Sequence, residues 1–125
     1  MVAGFPAAID TTVESVFDGR FTYDGGFLGG VTASMGPSAV LAQGGVRILV
    51  ATYASYEWGF EPYRSAGLDV TKARLVSVKN PMNYRLTYPF AAASFVLATD
   101  GPTTPNLRSL TWKRLQRPFY PKDDV

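Results

Sequence analysis

From Asp18 to Gly45 the chain is cut by turn signals before any run reaches helical length: Asp18-Gly19, Gly25-Gly26, Gly29-Gly30, Gly36-Pro37 and Gly44-Gly45. An amphipathic helix needs roughly ten residues or more, whereas a strand is complete in about 4–8. Residues 8–17, AIDTTVESVF, alternate loosely, with Ile9, Thr11, Val13 and Ser15 on one face. Asp18-Gly19, set between two β-runs, predicts a tight hairpin. Asp24–Gly30, DGGFLGG, is too glycine-rich for an element interior, and its spacing fits neither a P-loop nor a dinucleotide fingerprint, so it reads as a loop. Gly44-Gly45 predicts a two-residue hairpin loop with positive φ at both central positions. The run Val46–Tyr53, almost continuously apolar through Ala51, predicts a central strand buried on both faces. The first fifty-odd residues therefore read as an antiparallel meander.

After Tyr53 the pattern changes. Pro62 to Ala66, closed by Gly67, has proline early and glycine just past the end, the asymmetry of a short helix. Asp69 is placed as an N-cap for a turn through Lys72. Leu75, Val76 and Val78 predict a strand over 74–79, broken by Asn80-Pro81, because proline lacks an N–H and restricts the residue before it. A short helix from Pro81 to Tyr88 and a strand from Ser94 to Ala98 follow, and the tail from Gly101 is proline-rich and irregular. The expected fold is α+β: a mixed, largely antiparallel β-sheet with a few short helices, one compact domain spanning residues 1–125. A strand ending in a turn that carries Lys79, Asn83, Tyr84 and Arg85 sets polar groups where ligands usually sit in such folds.

Composition limits the chemistry. The chain has neither cysteine nor histidine, which removes disulfides, thiolate nucleophiles, the usual general base and the commonest metal ligand. A self-sufficient enzyme would need carboxylates brought together, such as Asp24 with Glu61 or Asp69, and no spacing argues for that. A net charge of +2 is too small to argue for nucleic acid. No apolar run approaches the roughly 20 residues of a transmembrane helix, so no membrane partner is expected. The N-terminus, MVAGFPAAIDTT, has no basic start or sustained apolar core and is not expected to be a signal peptide; a cytoplasmic address is the default.

The succession DGRFTYDGGFLGG, SMGPSAVLAQGGVRILVAT, FEPYRSAGLDVTKARLVSVKNPMNYR and LRSLTWKRLQRPFYPKDD resembles the C-terminal domain of the microcystinase C (MlrC) family. The corresponding family pattern is a DGRF hairpin, MGPxAVL followed by a GGV strand, FRSLGIDP, VVVKSxxHFR and a YRRLRRPIWPLD terminus. The resemblance runs from about Val13 to Asp124. It implies a protein similar to zinc-dependent metallopeptidases or amidohydrolases, whose metal ligands lie in a larger N-terminal catalytic domain absent from this chain. No cofactor is then expected in this chain, and zinc is implied for that other domain. By matching positions, Lys79, Asn83 and Arg85 are expected to bind substrate at the inter-domain cleft. Lys79 and Arg85 match the family, whereas Asn83 stands where the family often has histidine. Asparagine can position a carbonyl or amide but cannot act as a base near neutral pH. Arg85 has the forked guanidinium that clamps a carboxylate bidentately.

The resemblance implies an accessory domain that completes the substrate cleft of a metallopeptidase-like protein and contributes to homo-oligomer contacts. Its partners would be the N-terminal catalytic domain and, through it, a peptide-like or amide small-molecule substrate. The residues leave a second reading open, a stand-alone ligand-binding or protein-interaction module.

Overall fold

Short strands separated by glycine turns dominate the first half of the computed structural model, which describes residues 8–78, 84–97 and 106–124. Strands β1 (Thr12–Phe17), β4 (Ser38–Gln43) and β5 (Val46–Ala51) form one sheet in the order β1-β4-β5; β2 (Arg20–Thr22) pairs with β3 (Thr32–Ser34) in a second. Every described pairing is antiparallel, and with the short helices this is the α+β class that the sequence predicts.

Asp18-Gly19 is not a hairpin. β1 pairs with β4 and β2 with β3, so the dipeptide is a corner that carries the chain from one sheet to the other. Gly19 holds φ at +72°, and its carbonyl accepts the Met35 N–H at 2.9 Å. A Cβ there would lie 2.0 Å from the Gly36 carbonyl oxygen, so the crossing of the two chain segments requires glycine. The hairpin that does form here joins β2 to β3 through DGGFLGG, with a 3₁₀ turn at Gly26–Leu28.

Two further expectations change. Only Gly44 of the Gly44-Gly45 pair has positive φ, the pattern of a type II′ turn with glycine at its first central position. β5 is an edge strand and β4 the central one. A continuous apolar run implied two covered faces, but among the described residues only one face of β5 is covered: Leu49 packs on the core while Val46 and Val50 are exposed. A bulge at Val13–Ser15 also shifts β1, so that Val13 pairs with Leu41 and Val16 with Ala39.

The core sits between the sheets. Phe21, Tyr23 and Met35 are buried, with Phe17, Leu28, Ala33 and Leu49 packed around them. Phe21 and Tyr23 meet edge to face at 5.0 Å, an arrangement worth about 0.5–1.5 kcal/mol beyond the area it buries. Val40, on the central strand, is 1% exposed.

Helix α1 (Glu61–Ser65) lies against β2, with Pro62 in its first turn and Gly67 at φ +77° just beyond its end. Asp69 caps the 3₁₀ turn Val70–Lys72, accepting from the Thr71 N–H at 3.1 Å. Residues 74–78 are not a strand, and neither are 94–97. Each has β-branched or apolar residues, but a strand is defined by a hydrogen-bonded neighbour, and neither finds one among the described residues. The expected helix shortens to α2 (Tyr84–Thr87), and Pro81 lies outside the described residues.

Contacts divide the chain into two units, one over Ala8–Ser94 and one containing Phe95–Val125. In the second, Trp112 meets the Phe119 ring at 5.7 Å and donates from its indole N–H to the Leu107 carbonyl at 3.2 Å. Arg108 pairs with Asp124 at 2.8 Å and Arg117 with Asp123, so much of the tail's positive charge is met locally.

Candidate functional site

Of the three residues expected to bind substrate, Lys79 and Asn83 lie outside the described residues. Arg85 is on α2, exposed, with its guanidinium carbon 5.5 Å from the centre of the Tyr84 ring. Stacking on an aromatic face holds a guanidinium flat while leaving its N–H fork open. Among the described residues Arg85 makes no ion pair.

What fixes α2 is the residue just after it. Tyr88 is 8% exposed, and its hydroxyl donates to Glu57 Oε1 at 2.6 Å. The half-buried Tyr63 phenol, from α1, lies close enough to both for their polar groups to shift its titration. Glu57 thus joins the loop before α1 to the end of α2, with Tyr63 of α1 beside them. Burial pushes both phenols well above their ordinary value of 10.0, and the hydrogen bond to Glu57 raises them further. They are therefore protonated donors at any physiological pH, and neither can serve as a phenolate base. Phe90 packs edge-on to both Tyr88 and Phe60, at 6.0 and 6.2 Å, which sheathes this polar cluster in aromatic rings.

Sequence reasoning missed Glu57, Tyr63 and Tyr88 as a group. The only signal was an acidic residue embedded in the aromatic run Tyr56-Glu57-Trp58. Nothing in the spacing of 57, 63 and 88 brings them together; the tertiary fold does.

The carboxylates weighed as a catalytic pair behave differently. Asp24 and Glu61 do meet, but through the Asp24 backbone N–H, which donates to Glu61 Oε1 at 3.2 Å. The Asp24 carboxylate is paired with Arg64 at 2.5 Å. Glu61 is buried, and its Oε2 has no hydrogen-bond partner among the described residues. That oxygen lies so close to Gly59 that a Cβ there would sit 2.1 Å away. Burial, and secondarily the Glu61 charge, raise the Tyr23 phenol. Asp69 turns to Thr71 and Lys72 instead, and the Thr71 hydroxyl hydrogen bond is the main reason its carboxyl titrates below the ordinary value.

Among the described residues no three His, Cys, Asp or Glu side chains converge as a metal cradle. The described residues do not fit a catalytic zinc, which takes about three protein ligands and an open position, and no step through a metal follows for them. The arrangement is an exposed planar cation on a short helix whose end is tied down by the buried Tyr88 through its hydrogen bond to the half-buried Glu57.

The described residues thus form an antiparallel α+β domain. The pattern of one family, MlrC C-terminus, matches residues 2–114, and the chain belongs to that family. The crystal structure of a protein from Mesorhizobium sp. BNC1 named "Putative metallopeptidase" has a similar fold: TM-score 0.71 and 28% identity over 94% of this chain and 24% of that one. The chain thus spans about a quarter of the length of the protein it matches. No curated protein matches it. None of the described helices is long and apolar enough to cross a membrane.

Proposed function

We propose that this chain is the accessory C-terminal domain of a zinc-dependent metallopeptidase or amidohydrolase-like protein, completing the substrate cleft of an N-terminal catalytic domain and not cleaving by itself. The observation that carries this reading is the match to a family described as a C-terminus, together with a similar fold occupying only a quarter of a metallopeptidase-named chain. Absence of histidine and cysteine from the whole sequence supports placing the zinc in the other domain, where imidazole ligands can be supplied.

In this reading Arg85 holds a carboxylate or carbonyl of a peptide-like or amide substrate, with Lys79 and Asn83 as neighbouring recognition groups. A bidentate guanidinium–carboxylate contact is roughly twice as strong as a neutral hydrogen bond, so its loss should be visible in kinetics. A cytoplasmic location and a share in homo-oligomer contacts belong to the same proposal.

The test is made on the product of the full reading frame that contains this chain. Arg85→Ala is expected to raise KM or lower kcat more than tenfold while leaving the melting temperature unchanged. Wild-type kinetics in that variant would remove Arg85 from the site. Hydrolysis by the purified 125-residue chain with zinc supplied would overturn the accessory role.

A further inference from the structure

One face of the β1-β4-β5 sheet meets the core, and the other is aliphatic yet partly exposed. Residues directly paired across antiparallel strands share a face, and alternate residues along a strand point to opposite faces. The register therefore puts Val13, Val16, Ala39, Leu41, Ile48 and Val50 on one side. The other side carries Phe17, Val40 and Leu49, which meet the core, together with Thr12, Ser38 and Arg47. The Glu14–Arg47 ion pair, at 2.5 Å, joins the two edge strands. Apart from Gln43 at one end, the strand positions of the first side are all aliphatic and none is charged. Yet Val16 is 72% exposed, Val13 62% and Val50 45%, and a groove at one end of the face is lined by Val16, Ala39, Val50 and Ala51 together with Pro37, Ser38 and Thr52. Single exposed valines are ordinary, but a contiguous aliphatic sheet face marks an interaction surface.

We infer that this face is the surface on which the domain docks against the polypeptide N-terminal to it in the longer protein, an apolar surface of the catalytic domain. The inference rests on the accessory reading above and adds where the contact lies. Two observations choose the occupant. Three quarters of the metallopeptidase-named chain lies outside the matched region, and the matched family is a C-terminus, so the remaining polypeptide enters from the β1 side. β1 is itself an edge of this sheet and contributes the exposed Val13 and Val16 to the face, so the incoming domain arrives beside it.

Because the chain lacks cysteine, Val16→Cys and Val50→Cys each install a single thiol on the face. Gly45→Cys is the control, at a turn position where an added Cβ meets nothing within 4 Å. Alkylation by N-ethylmaleimide is timed in the full reading-frame product and in the 125-residue chain. Thiols at 16 and 50 are expected to react at least tenfold more slowly in the longer protein, while position 45 differs less than twofold. Equal rates at 16 and 50 in the two proteins, both as fast as the control, would overturn the docking surface; the accessory role would still be judged by the Arg85→Ala kinetics. Slow reaction in the short chain would also overturn it. A dimer in sedimentation would then assign the face to a second copy, and a monomer to the chain's own C-terminal unit. A reading frame that encodes no catalytic domain would sink the accessory reading itself, and this inference with it.

Discussion

The strand-built half of the first unit, Thr12–Ala51, and the helix-and-loop half, Thr52–Ser94, are held together by different means. The first is held by backbone ladders: three antiparallel pairings, with their registers, account for most of its backbone hydrogen bonds. In the second, nearly all the backbone bonds among the described residues close short turns, such as Arg64 to Phe60 at 3.0 Å and Tyr88 to Tyr84 at 2.9 Å, and one, from the Tyr53 N–H to the Met35 carbonyl at 2.9 Å, reaches back to the strands. Its other long-range ties include the side-chain bonds of Tyr23 to the Tyr56 carbonyl, Glu61 to the Asp24 N–H, and Tyr88 to Glu57. Ladders are redundant, since losing one bond leaves its neighbours in place. A side-chain cluster is not, because each buried polar group depends on a particular partner. The difference teaches where this domain is brittle, and the candidate binding residue Arg85 sits in the brittle half.

The largest effect is expected at the corner of the ladder half. Gly19→Ala forces a Cβ into the Gly36 backbone carbonyl at a positive φ, and backbone cannot yield as a side chain can. A loss on the order of 3 kcal/mol or more is expected from the combined strain and overlap, read as a shift in the urea midpoint. A variant as stable as wild type would mean that the two sheets are not held at this crossing.

Tyr88→Phe comes next and tests the side-chain half. It removes the donor to Glu57 from a buried position and should cost about 1–2 kcal/mol, with increased amide exchange across α2. Unchanged exchange there would show that α2, and with it Arg85, is positioned by something else. Gly59→Ala should cost less than Gly19→Ala, roughly 1 kcal/mol, because its Cβ meets the end of the Glu61 side chain, which can rotate. A reversed order of the two glycine variants would break the contrast between the halves.

The smallest effect is a pH signature. Tyr63 and Tyr88 are raised in the folded chain above the 10.0 of an unperturbed phenol, chiefly by burial. Between those values the unfolded chain has already released the proton and the folded chain retains it, so stability falls as pH rises. The contribution is complete below about pH 10 and declines above it toward the folded-state values. The decline should be shallower in Tyr88→Phe, and parallel curves for the two proteins would exclude the cluster as its source.

Glycine and proline positions, together with hydrophobic run lengths, determined the strand-and-turn character of residues 8–51, the helix at Glu61–Ser65, the Asp69 cap and the α+β class. These are local matters: φ preferences, missing donors and side-chain period act within a few residues of where they are written. The family resemblance was legible for the same reason, since its motifs are ordered short words. Pairing partners were not legible. Asp18-Gly19 looks the same to its neighbours whether it closes a hairpin or turns a corner, and only Met35 and Gly36 arriving from another strand decide which. The apolar run of β5 could not say whether both its faces would be covered, nor could Leu75 and Val76 say whether an edge would be there to receive them. The Glu57–Tyr63–Tyr88 cluster lies beyond local reading altogether. Its members are set 6 and 25 residues apart in the chain, and what joins them is the need of the buried Tyr88 hydroxyl for a hydrogen-bond acceptor, which arises only once the fold has closed around it.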